Sequence, residues 1–162
     1  MSAIIPFNKN LTYSERFDYY SYLSFRYHRL FFKSLIFRGY KLRAFNIYCQ
    51  VKLKIKLRER INPFWAILMA FLNITPDFMV YPIKLGGQIQ KVPLPITPRK
   101  QYTFAVKWVV KALKEKYGFF TVAKLTDTLI SAIYGRGLSI DKKKNLYDSS
   151  IVNRHLIKFF KF

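Results

Sequence analysis

GGQIQKVPLPITPRKQYTFAVKWVVKALK, residues 86–114, joins a turn signal to a helical one. Both positions of Gly86-Gly87 tolerate positive φ, as a two-residue hairpin turn requires, so Phe78 to Leu85 and Gln88 to Pro93 are predicted to pair as strands. Pro82, Pro93 and Pro95 remove ladder donors, which suits an edge-type, protruding ribbon rather than the centre of a sheet. Pro98-Arg99-Lys100 then opens a helix carrying Ala105, Trp108, Val109 and Ala112 on one side. At about 100° per residue, Lys100, Lys107, Lys111 and Lys114 fall opposite them in a stripe about 60° wide. Such a helix packs its apolar side inward and presents ammonium groups outward.

The stripe belongs to a chain of 162 residues with formal net charge +21 and a pI near 10.2. Fifteen basic residues face four acids up to Thr97, and fourteen face four beyond it, so the whole body is basic and not one tail. A surface of that charge repels itself unless a polyanion neutralises it. With 51% hydrophobic residues the chain can bury a core, and its length is that of one domain. Cys49 is the single cysteine, so no internal disulfide forms, and with two histidines it cannot supply an ordinary structural zinc site. The eight acids are scattered singly. No Gly-rich phosphate loop precedes a Lys-Ser/Thr pair and no nucleophile elbow is present, so the residues suggest no enzyme, cofactor or metal.

The longest apolar run, Phe64 to Leu72, has nine residues where a bilayer needs roughly 20, and reads as a buried helix. Met1 to Asn10 has neither the apolar stretch of a secretory signal nor the arginines of an import presequence. Phe, Tyr, Ile, Lys and Asn, all specified by A/T-rich codons, make up 70 of the 162 residues. An A/T-rich organelle genome is therefore expected to encode the chain.

Elsewhere, Thr12 and Glu15 have capping-box spacing ahead of a helix running to about Arg38, with Gly39 as its stop. Leu23, Tyr27, Leu30, Ser34 and Phe37 form its predicted inner seam, and Arg26, Arg29 and Lys33 a second basic stripe. Residues 42–57 fit two periods: Val51 to Leu57 alternates as a strand would, while Ala44, Ile47, Tyr48, Val51 and Ile55 make a helical face. Asn62-Pro63 is an N-cap and first-turn pair for a helix that must end before Pro76. A helix near Thr121 to Tyr134, with Val122, Leu125, Leu129, Ala132 and Ile133 inward, ends at Gly135-Arg136-Gly137. A last helix near Asn145 to Lys161 is expected to set Val152, Leu156, Phe159 and Phe160 against Arg154, Lys158 and Lys161, leaving Asp141 to Lys144 as a loop.

From Gly39 to Asn153 the chain resembles the small-subunit ribosomal protein seven family. The likeness is carried by the joint spacing of Ala44, Ile47, Asn73 to Pro76, Gly86-Gly87, Val92-Pro93, Pro98, Ala105, Lys107-Trp108, Val110, Ala112, Leu125, Leu129, Ala132, Gly137, Lys142-Lys143 and Asn153. The resemblance implies a mainly α fold, a six-helix bundle with a β-hairpin (77–95) protruding between the third and fourth helices, and so makes residues 42–57 a helix. It implies binding of small-subunit rRNA, organisation of the subunit head near the exit-site tRNA and the mRNA path, contacts with neighbouring ribosomal proteins, and no homo-oligomer. With the amino-acid composition it points to a mitochondrial ribosome, the alternatives being a plastid or a bacterial cytoplasm. There are departures. Tyr40-Lys41 replaces a basic pair, Ile83-Lys84 stands where the hairpin is usually arginine-rich, and residues 1–11 form a nearly neutral extension.

The mechanism expected is charge neutralisation of phosphates with recognition of RNA shape. Lys100, Lys107, Lys111 and Lys114, joined by Arg99, are the leading candidates, with a solvated helix face as the bland alternative. Lys142, Lys143 and Lys144 read as an RNA-binding loop or as linker solvation, and Lys84 and Lys91 on the hairpin are similarly open. Lys41, Arg43, Arg136, Arg154 and Lys158 complete the candidate set. Trp108 is expected to pack inward. The tyrosines crowded in the first helix, from Tyr13 to Tyr27, must leave some rings exposed to RNA or protein, while His28 and His155 lack catalytic partners. A DNA-compacting or membrane-surface protein is the rival reading.

Overall fold

The computed structural model describes residues 13–85, 87–115 and 122–159. Thr12, Gly86, Thr121, Phe160 and Lys161 lie outside them, as do the side chains of Tyr13, Glu15, Lys158 and Phe159. Among the described residues there are six α-helices and one hairpin: α1 (Tyr13–Leu35), α2 (Lys41–Glu59), α3 (Pro63–Ile74), β1 (Phe78–Leu85), β2 (Gln88–Pro95), α4 (Pro98–Glu115), α5 (Val122–Ile133) and α6 (Leu138–Val152), followed by a 3-10 turn at Arg154–Phe159. The fold is mainly α, with the hairpin between the third and fourth helices.

α3 is the hub, packing against each of the other five helices. That role explains its unbroken apolar sequence, because a helix surrounded by helices has no polar face to show. Ala66, Ile67, Leu68, Ala70, Phe71 and Ile74 are all buried. Its start follows from local chemistry: Pro63 needs no N–H at the first position, and the Asn62 side chain accepts from Phe64 N at 3.0 Å. No helix among the described residues is long and apolar enough to cross a membrane.

α1 meets the hub through Tyr27, whose ring stacks on Phe71 with centroids 5.1 Å apart and meets Tyr102 of α4 edge-on at 5.0 Å. Its hydroxyl pairs with Thr75 Oγ1, which itself donates to Phe71 O at 2.7 Å, so the phenol is the donor to Thr75. Burial pushes the phenol's pKa upward and keeps it neutral. The buried seam of α1 is Leu23, Tyr27, Phe31 and Leu35, spaced by four. This corrects the expected seam: Leu30 is half-buried, Ser34 exposed, and Phe37 lies beyond the helix end, which comes at Leu35 and not at Arg38. Positive φ at Arg38 and Gly39 turns the chain into α2.

Residues 42–57 are helical, with Ala44, Val51 and Ile55 buried against the core. Helix α2 ends at a left-handed Arg60 whose N–H reaches Lys56 O. The strands pair in the register Leu85↔Gln88 to Phe78↔Pro95, with Gly87 at positive φ completing the tight turn. The foot of the hairpin is tied down: β1 packs on α6, β2 on the 3-10 turn, Val92 is fully buried, and Phe78 lies 4.5 Å from the Tyr147 ring.

The C-terminal third departs most from expectation. α6 begins at Leu138 and ends at Val152, so Lys142 to Lys144 are helical and form no loop, and a 3-10 turn replaces the expected continuation toward Lys161. Gly137 supplies the start with a φ of 97° that few side chains tolerate, and a Cβ there would stand 3.4 Å from Ser131 Cβ. Ile140 is buried and Asp141 complements the positive helix start. Leu156 is buried as expected, but Val152 is 73% exposed.

Candidate nucleic-acid interface

α4 is divided as its periodicity predicts. Tyr102, Ala105, Val106, Val109, Ala112 and Leu113 are buried, while Arg99, Lys100, Lys107, Lys111 and Lys114 are exposed. Trp108 is half-buried against the core, as expected, with its ring 6.5 Å from Phe104. None of these five cations forms an ion pair among the described residues.

Packing of α1 against α4 brings the second basic stripe into the same region. Ser34 of α1 joins Val106, Lys107, Val110, Lys111 and Lys114 around an open groove of about 310 Å³. The floor is aliphatic and the rim cationic, which lets a ribose or base edge lie on the floor while phosphates meet the lysines. Further along α1, Arg29 and Lys33 are exposed and Arg26 is half-buried, its guanidinium 5.0 Å from the centre of the Tyr22 ring. Tyr22 and Phe25 are exposed on the same face. Burial raises the pKa of Tyr102, and the charge of Arg26 opposes that shift. Interleaved aromatic rings and guanidinium groups suit a stacked, phosphate-bearing ligand. The spacing of Arg26, Arg29 and Lys33 was the sequence signal for this face, but the alternation with Tyr22 and Phe25 is legible only once the inward side of α1 is known.

The other candidates are distributed around the fold. Lys41 and Arg43 are exposed in the first turn of α2. Lys84 and Lys91 share one exposed face of the hairpin, since the register sets Lys84 opposite Ile89 and Lys91 opposite Pro82. Arg136 is exposed, with its N–H bonded to Ser131 O, and Lys144 and Arg154 are exposed on α6 and the 3-10 turn. The Lys158 side chain lies outside the described residues.

Two candidates are engaged within the fold. Lys142 donates to both carboxylate oxygens of Glu115 at 2.8 Å, joining α6 to the end of α4. Lys143 donates to Asn73 O at 2.9 Å, and burial lowers its pKa while Asp77 opposes the shift. His28 is likewise structural. Its Nε2 lies 3.2 Å from Phe64 O, its Nδ1 accepts from Tyr48 Oη, and its ring stacks on Phe64. Burial is the main cause that lowers its pKa to about 4.

The family described as ribosomal protein S7p/S5e matches residues 8–154. Among similar curated proteins, the small ribosomal subunit protein uS7 of Rickettsia felis is 26% identical over 129 residues, covering 80% of this chain and 81% of its own length. The small ribosomal subunit protein uS7c of Prototheca wickerhamii is 29% identical over 129 residues, covering 80% of this chain and 83% of its own.

Proposed function

Because the chain belongs to the ribosomal protein S7p/S5e family, we propose that it is a structural constituent of a small ribosomal subunit whose joined α1 and α4 faces bind small-subunit rRNA. The observation that carries this reading is the exposed cationic face of α4, three of whose lysines rim a groove against Ser34 of α1, in a chain of net charge +21. Lys100, Lys107, Lys111 and Lys114, with Arg99, neutralise phosphates along α4, and Arg26, Arg29 and Lys33 do so along α1. Each neutralised phosphate releases condensed counterions, so affinity falls steeply with salt. The exposed hairpin face with Lys84 and Lys91, the first turn of α2 with Lys41 and Arg43, and Arg136, Lys144, Arg154 and Lys158 reach further phosphates. Lys142 and Lys143 serve the scaffold first.

In this reading the chain helps organise the subunit head beside the exit-site tRNA and the mRNA path, among neighbouring ribosomal proteins, in a mitochondrial ribosome. The A/T-coded composition supports the organelle assignment. Sucrose-gradient sedimentation of the tagged chain tests the main claim: it travels with the small subunit and leaves that position after ribonuclease. Binding that survives ribonuclease and saturates on duplex DNA would establish the DNA-compacting rival, and flotation with anionic liposomes the membrane-surface one. Organelle fractionation tests the compartment. The substitutions K107Q, K111Q and K114Q together lower rRNA affinity and reduce the salt slope by roughly 0.7 to 0.9 for every phosphate no longer neutralised, with helicity unchanged.

A further inference from the structure

α2 has a second apolar face that the domain does not use. Opposite the buried Ala44, Val51 and Ile55, the outward line carries Leu42, Phe45, Cys49, Leu53 and Leu57, and the four large side chains are 82%, 54%, 57% and 71% exposed. At about 1.5 Å per residue this line is about 22 Å long.

Cations border it. Lys41 and Lys56 lie along one edge and Arg43 and Lys54 along the other; all four are exposed and none forms an ion pair among the described residues. Glu59, the only acid of α2, is held by the Tyr134 hydroxyl. An apolar ridge between two basic edges is complementary to an apolar ridge between two acidic ones.

The details select among occupants. Three of the four large side chains on the ridge are leucines, which offer RNA neither charge nor a stacking face, and Phe45 is its one ring. A second copy would set lysines against lysines. A membrane-surface helix needs one broad apolar face, whereas the broader apolar side of α2 is packed on α3 and α5 and the outer line is one side chain wide. We propose that this face docks an acidic amphipathic helix of a partner protein, its apolar ridge against Leu42, Phe45, Leu53 and Leu57 and its carboxylates toward Lys54 and Lys56, the two bordering cations not assigned to phosphates. The inference rests on the ribosomal reading only in expecting that helix within the same particle.

Cys49, midway along the line, makes the test direct. The tagged full-length chain is isolated in its native assembly, wherever that sediments, and treated with a maleimide. Cys49 is expected to react roughly tenfold more slowly than in the purified chain, the factor left by about 90% occupancy. A photo-reactive residue at Leu53 is expected to cross-link to a protein segment with acids flanking an apolar helical repeat. The double variant L53K/L57K, changed only at exposed positions, restores Cys49 reactivity and releases the partner while rRNA co-sedimentation persists. Labelling at the free-chain rate, a cross-link to RNA, lipid or a second copy, or a segment without acids overturns the proposal. Loss of rRNA co-sedimentation in the unaltered chain would instead overturn the ribosomal reading, leaving the cross-link to decide this one.

Discussion

Lys143 of α6 donates to the backbone carbonyl of Asn73, and the side-chain amide of Asn73 donates to the carbonyls of Ala132 and Ile133 at 3.0 and 2.9 Å. The last turns of α3 and α5, whose carbonyls lack partners within their own helices, are thereby closed by neighbours. The ammonium of Lys143 lies 5.7 Å from the Tyr147 ring, whose hydroxyl bonds Asp77 at 2.8 Å. α3, α5, α6 and the foot of the hairpin are fixed together.

Lys143→Met is therefore expected to destabilise the fold by roughly 1 to 2 kcal/mol, and Asn73→Ala by about 2. Urea unfolding measures both. The triple lysine-to-glutamine change on α4 should leave the unfolding midpoint unchanged or raise it, because it relieves self-repulsion. Cations of the scaffold and of the interface would then separate into two classes: one set moves stability, the other affinity. A Lys143→Met variant of full stability would remove this residue from the scaffold.

His28 gives a pH dependence. Its folded pKa is lowered to about 4 from an ordinary 6.5, chiefly by burial, so between those values the unfolded chain binds a proton that the folded chain does not. Stability then rises with pH across that window, is fully present above about 6.5, and is lost as pH falls toward 4, by on the order of 3 kcal/mol in total. In His28→Gln the slope between pH 6.5 and 5 should flatten relative to the parent, as read by chemical unfolding at each pH. Parallel slopes would refute the assignment.

Ser24 is fully buried and its hydroxyl has no hydrogen-bond partner among the described residues. Ser24→Ala removes an unsatisfied polar group and raises helix propensity, so it should stabilise the protein by about 1 kcal/mol. Thermal melts in one buffer decide the sign, and a destabilised variant would show that the hydroxyl is satisfied.

On α1, exchanging Arg26, Arg29 and Lys33 for glutamine should weaken rRNA binding and lower its salt slope by roughly 0.7 to 0.9 for each phosphate these cations had neutralised. Filter binding across a salt series gives the slope. An unaltered slope would confine the interface to α4.

Much of this arrangement is legible in the residues. Contrast along a helix makes it so: α4 alternates lysine with alanine and valine, and its two sides sort without ambiguity. α1 lacks that contrast. From Tyr19 to Phe32 most positions are aromatic or aliphatic, so a spacing of three and four fits as well as the actual spacing of four, and only packing on Phe71 chooses. α2 is apolar on two opposite faces, which mixes a strand-like period with a helical one. In α6 a run of three lysines resembles a solvated loop, yet lysine is a good helix former, and Gly137 with buried Ile140 starts the helix earlier. That Lys143 reaches inward depends on where the α3 carbonyl ends up, which no local pattern encodes.

Four of the eight acids are engaged by partners elsewhere in the fold: Glu59 by Tyr134, Asp77 by Tyr147, Glu115 by Lys142 and Asp127 by Arg58. Half of the chain's negative charge is thus tied into contacts at the surface of the fold, and most of the cations keep no acidic neighbour among the described residues. On the proposed reading a newly made copy stays electrostatically loaded until rRNA binds it, so surplus copies should be short-lived. Halting rRNA synthesis would shorten the half-life of the newly made chain, and supply would follow demand with no dedicated sensor.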